Sequence, residues 1–131
     1  EQLNEYLGHR FEALCAEWMV EQAKQGKLPI PATAVSSWWG TNPTKRAQDD
    51  IDVLAADRIS KRLVIGECKY RETFDESAEI DDLESKRDLV KGFIASNFML
   101  FCKHDVSDAT KKKLAAREDW RIVTLEEMYI D

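Results

Sequence analysis

The sequence is short of several things, and each shortage closes off a class of protein. There are 3 cysteines in 131 residues, far apart as Cys15, Cys68 and Cys102 and set among apolar neighbours. An odd, scattered set builds neither a disulfide framework nor a zinc site, so the three read as core thiols of a reducing compartment. Glycine (5) and proline (3) are also scarce, which excludes a collagen, a low-complexity linker and a long disordered tail. No apolar run approaches the roughly 20 residues of a membrane helix, and none opens the chain as a secretory signal would. Cations are the minority, 19 Lys and Arg against 25 Asp and Glu for a net −6, so no broad basic surface is available to grip a polyanion. Glycine-rich phosphate loop, Gly-x-Ser-x-Gly elbow, CxxC pair and His-Glu-x-x-His are all missing, and the chain does not itself bind ATP in a P-loop.

What is present is a globular composition, 44% hydrophobic and 34% charged. The length suits one domain with a core of its own. The expectation is a single soluble, cytoplasmic domain over residues 1–131. A start at Glu1 without Met suggests a piece of something longer.

Apolar residues at Leu3, Leu7, Phe11, Leu14 and Trp18, with Cys15 and Met19 beside them, give a helical period from Gln2 to about Gln25, and Gly26 is its natural stop. Thr33–Trp39 reads as a strand, Asn42–Arg46 as a polar loop, and Gln48–Asp57 with Lys61–Tyr70 as a hairpin. The acidic stretch Thr73–Asp82 reads as a loop or helix entrance, leading to a helix over Glu79–Lys91 that carries Arg87 and Val90 and ends at Gly92. Phe98–Lys103 is apolar throughout, as an interior strand would be. Ser107 caps a basic helix to about Glu118, Trp120–Val123 is a last strand, and Thr124 with Glu127 forms a capping box. The order α-β-β-β-α-β-α-β-α implies an α/β fold with a mixed sheet flanked by helices.

The informative residues lie on the hairpin. Asp52 and Glu67 flank the polar stretch Arg58–Lys61 symmetrically, about a centre between Ile59 and Ser60. A turn centred there puts the two carboxylates opposite each other, with Lys69 on the same face as Glu67. Leu54, Val64, Ile65 and Cys68 mark the hairpin as interior, and ionised carboxylates there cost several kcal/mol each unless compensated. A divalent cation is one compensation, and with oxygen ligands it would be hard, Mg²⁺ or Mn²⁺. An internal ion pair of Lys69 with Glu67 or Asp52 is the other. Spacing alone leaves both open.

Gly8-His9-Arg10-Phe11-Glu12, Trp38-Trp39-Gly40, Ile51-Asp52-Val53-Leu54-Ala55 and Gly66-Glu67-Cys68-Lys69-Tyr70 together resemble the PD-(D/E)XK nuclease superfamily. More narrowly, they resemble the domain at the C-terminal end of archaeal-type AAA ATPases, also present in bacteria. The resemblance covers about residues 6–103. It implies a restriction-endonuclease-like core (α-β-β-β-α-β), Asp52, Glu67 and Glu12 as Mg²⁺ or Mn²⁺ ligands, and Lys69 as the catalytic lysine. It further implies a nuclease acting on DNA, with an ATPase domain upstream in the same chain. Ile51 stands where the motif has proline, a frequent departure.

The remaining candidates have plainer readings. One ring of Trp38-Trp39 belongs in the core and the other outside; stacking on bases is the sharper alternative. His9 and His104 read as structural or surface residues, the latter without a visible partner. Lys111-Lys112-Lys113 reads as a solvated face, and Lys86 can face the site as an accessory cation. A hydrolase explains the intact set Glu12, Asp52, Glu67 and Lys69. A catalytically inactive nuclease-fold module, serving in protein or nucleic-acid interaction, better explains the negative charge.

Overall fold

The computed structural model describes residues 2–129; Glu1, at which the trimmed start was inferred, lies outside them. Nine elements follow in the expected order. They are α1 (Gln2–Lys24), β1 (Ala34–Asn42), β2 (Ala47–Asp57), β3 (Arg62–Lys69), α2 (Glu76–Glu84), β4 (Ile94–Cys102), α3 (Asp108–Leu114), β5 (Trp120–Thr124) and α4 (Leu125–Tyr129). The five strands form one sheet in sequence order. β1, β2 and β3 are antiparallel neighbours, while β3, β4 and β5 run parallel through the crossovers that carry α2 and α3. The sheet is therefore mixed and flanked by helices. No helix among the described residues is long and apolar enough to cross a membrane.

Each face of the sheet has its own core. Ile51, Leu54, Ile65, Phe98 and Leu100 pack with Ile80 and Leu83 of α2 and with Leu114 of α3. On the other face Val53, Val64, Met99 and Phe101 pack with Phe11, Cys15 and Met19 of α1. The apolar run of β4 feeds both faces by alternation, which is why it reads as continuously apolar. All three cysteines are free and buried, as their apolar settings imply.

The second helix departs from its sequence reading. Asp75 caps it by accepting from the Ala78 N–H at 3.0 Å, so it starts earlier than Glu79. It stops at Glu84 rather than Lys91. Beyond Ser85 the backbone tightens into turns, Lys86 N–H to Leu83 O at 3.0 Å and Leu89 N–H to Lys86 O at 3.1 Å. The chain is then taken up by β4, with Ala95 N–H on Arg87 O at 2.8 Å. Arg87 and Val90 thus belong to a connector, and β4 begins at Ile94, ahead of Phe98. The third helix likewise ends at Leu114, short of Glu118.

Candidate functional site

The hairpin turns where its polar stretch lies. β2 and β3 pair from Asp57↔Arg62 to Val53↔Gly66, and Asp52 and Glu67 are the next residue of each strand. The Cys68 N–H donates to Asp52 Oδ2 at 2.9 Å, locking the two strands together at that level. β2 also bulges here: β1 advances from Ser36 to Trp38 while β2 steps from Leu54 to Ile51. The extra residue falls at Asp52–Val53, and bulges of this kind re-aim side chains beside sites. Gly66 is required by close packing. A Cβ there would lie 2.8 Å from the Phe101 ring and 3.0 Å from Val53 Cγ1.

Two carboxyls side by side and mostly buried disturb each other. Burial, then the neighbouring Asp52 charge, pushes Glu67 up to about 8. Burial likewise raises Asp52, opposed by the Cys68 N–H. Glu67 Oε1 is buried and has no hydrogen-bond partner, a costly omission for a carboxylate. Lys69 Nζ stands 3.7 Å from Glu67 Oε2 but 3.2 Å from Glu79 Oε2, so its closer ion pair is with α2. Glu12 reaches the same cavity from α1. It is solvent-exposed, yet partial burial and the Asp52 charge raise its pKa, while His9 lowers it.

The cavity has a volume of about 740 Å³, and its walls include Glu12, Asp50, Asp52, Glu67, Lys69 and Tyr70. Among the described residues, no three His, Cys, Asp or Glu side chains already stand close enough together to hold an ion. The donor set nevertheless suits one. Its acids, Glu12, Asp50, Asp52 and Glu67, offer carboxylate oxygens, one of them orphaned, which is the donor type of a hard divalent cation.

A family model, described as archaea bacterial proteins of unknown function (DUF234), matches residues 1–86. The chain belongs to the DUF234 family. The matched segment runs from α1 to the end of α2 and contains Glu12, Asp52, Glu67 and Lys69. An uncharacterized protein of Methanocaldococcus jannaschii is 29% identical over 89 residues, which cover 66% of this chain and 19% of that protein. A crystal structure of protein VC1899 from Vibrio cholerae is similar in fold, with a TM-score of 0.62 at 21% identity, over 89% of this chain and 30% of that one. The chain thus spans less than a third of either protein.

In this DUF234 chain a second cation, Lys86, also lowers the pKa of Glu67 and of Asp52 through its charge. It is 3% exposed, and its Nζ donates to Asp50 O at 2.7 Å and pairs with Asp49 Oδ1 at 3.2 Å and Asp82 Oδ2 at 3.4 Å. It comes from the turn after α2, and its charge acts on Glu67 and Asp52 without its side chain lining the cavity. Asp49, Asp50 and Glu79 are further neighbours that hairpin symmetry does not single out; the doublet Asp49-Asp50 just before Asp52 was the available sign. The acidity of α2 is largely answered within the molecule: Glu76 accepts from Thr110 and Ser107, Glu79 pairs with Lys69, and Asp82 with Lys45 and Lys86. Trp38 packs on the core while Trp39 is 76% exposed. His104 is exposed, as expected, but does have a partner, Glu72 Oε1 at 3.0 Å.

Proposed function

We propose that this domain is a metal-dependent phosphodiesterase acting on DNA, built on a restriction-endonuclease-like core. The observation that carries the reading is Glu67 Oε1, buried without a partner, on a carboxyl that feels the neighbouring Asp52 charge. A fold that leaves a carboxylate oxygen so placed has room for a positive charge from outside the chain. Asp52 and Glu67 would hold Mg²⁺ or Mn²⁺, with Glu12 contributing from α1. When bound, such an ion neutralises a phosphate oxygen and acidifies water. Lys69, one short swing from Glu79, offsets charge gathering on the phosphate or orients the attacking water. The connection from α1 through three antiparallel strands and α2 to the parallel β4 supports the proposed core. The same proposal includes an upstream ATPase domain, for which the short share of the archaeal relative leaves room.

Calorimetric titration with Mn²⁺ tests the reading. Binding that disappears in Asp52→Ala is expected, and equal binding by both proteins would exclude this site. Cleavage of plasmid or single-stranded DNA should then be lost in Lys69→Ala with Mn²⁺ binding kept. The closer Lys69–Glu79 pair favours a second reading, an inactive module of the same fold. Mn²⁺ binding without cleavage of either DNA would select it.

A further inference from the structure

The opposite end of the hairpin carries charge of the other sign. Arg58, Lys61 and Arg62 surround the β2–β3 turn, and Arg87 and Lys91 lie on the connector before β4. All five are exposed. The two segments are joined, since the Ile94 N–H donates to Lys61 O at 3.0 Å and Lys61 Nζ lies 5.4 Å from the Phe93 ring centre. Lys45, Lys69, Lys86, Lys103 and Arg117 are in ion pairs; among the described residues Arg58, Lys61, Arg62, Arg87 and Lys91 are in none, although Arg87 Nη1 donates to Ala95 O at 3.2 Å and its guanidinium lies 4.8 Å from the Phe98 ring centre. The carboxylate of Asp57 is turned into the hairpin, accepting from Ser60 Oγ at 2.7 Å and Ile59 N–H at 3.0 Å. Asp88 is the other acid nearby. A chain of net −6 thus places five cations without ion pairs at this end of the hairpin.

Two further features belong to the same end. A hollow of about 490 Å³ is bounded by Ser60, Lys61, Arg62, Arg87 and Ile94. At the tip, Ile59 is 95% exposed, and Ile94 is 51% exposed beside Arg62, its partner in the sheet. Lys61 holds φ at 60°, where Gly or Asn is usual. A β-branched apolar residue at the apex and a left-handed lysine both break local preference, and such breaks gather at functional places.

We propose that this end is a docking surface for an acidic polypeptide segment that also carries apolar side chains. The cations supply complementary charge, and the exposed Ile59 at the tip and Ile94 at the hollow supply apolar contacts among them. A phosphate backbone would use the cations but gives no reason for isoleucine at the tip. This surface is independent of the carboxylate pair, which lies at the other end of the same strands.

Fluorescence anisotropy tests it with three labelled probes: a peptide alternating Glu and Leu, a polyglutamate of equal length, and an oligonucleotide, single-stranded and duplex. The Glu-Leu peptide should bind at least about tenfold more tightly than the others, and more weakly as salt rises. Ile59→Ser, and separately the double change Lys61→Glu with Arg62→Glu, should each weaken it about tenfold, with thermal melts unchanged because all three side chains are exposed. Asp52→Ala should bind the peptide normally, whatever it does to Mn²⁺. Absence of peptide binding, tighter binding of the oligonucleotide, or indifference to both variants would overturn the proposal. Self-association abolished by the same variants would do so too, since the occupant would then be a second copy.

Discussion

Asp49 and Glu67 sit on adjacent strands and both feel Lys86, yet they fare oppositely. Burial pushes Asp49 up, but the Asn42 amide, the Asp50 N–H and Lys86 outweigh it and hold the carboxyl well below the usual range. Its partners are close: Asn42 Nδ2 and the Asp50 N–H at 3.0 and 2.9 Å, and Lys86 and Lys45 both at 3.2 Å. Glu67 has one oxygen 3.7 Å from Lys69 and the other buried without a partner, and burial, the Asp52 charge and a proton shared with Asp52 push its carboxyl up to about 8. One short stretch of sheet contains both a fully answered acid and an unanswered one. The fold can satisfy a partly buried carboxylate, and at Glu67 Oε1 it does not.

The harshest way to break this contrast is to remove the cation common to both sides. Lys86→Met should destabilise the protein by about 3 kcal/mol, because Asp49, Asp82 and the Asp50 carbonyl lose a buried donor at once. Urea denaturation reads the loss. A change within error would mean that Asp49 is held by Asn42 and the backbone alone, and that the ion network is ornament.

Half of the contrast was legible without coordinates. The polar stretch Arg58–Lys61 between two apolar runs fixes the centre of the hairpin, and Asp52 and Glu67 then follow the last observed pair as the next residue of each strand. The extra residue of β2 shifts its pairing with β1, and the pairing with β3 ends beside it at Val53↔Gly66. The answered half is different. Lys86 reaches Asp49 because α2 stops at Glu84 and the following turns tuck the lysine under β2. Helical periodicity carried through to Lys91 hides that stop, since Arg87 and Val90 continue the pattern by chance. Trp39 was legible only in part: alternation sends one tryptophan out, but does not say which.

Glu67→Gln sharpens the contrast from the unanswered side. A carboxyl raised from its usual range to about 8 keeps a proton in the folded chain that the unfolded chain has already released. Stability therefore falls as pH rises between the usual carboxyl range and about 8. The amide has no charge to bury, so the variant should lose this slope and, at pH 8 without metal, gain on the order of 2 kcal/mol. Denaturation midpoints across that window check both. A clear loss of stability would instead make Glu67 the partner of a buried ion pair.

The smallest expected effect comes from the answered side and has the opposite sign. Asp49 is held ionised, so its contribution is present above the ordinary aspartate range and is lost as pH falls through the depressed folded value. Asp49→Asn should cost about 1 kcal/mol at neutral pH, since an amide keeps the hydrogen-bonding shape but not the attraction to Lys86 and Lys45. That cost should shrink in acid, where the wild-type side chain also loses its charge. Two substitutions that each replace an acid by its amide, Glu67→Gln and Asp49→Asn, would then shift stability in opposite directions at pH 8. Net charge cannot produce that divergence; only the local presence or absence of partners can. Shifts of the same sign would mean that overall repulsion in an acidic chain, and not the geometry at Asp52 and Glu67, governs both residues.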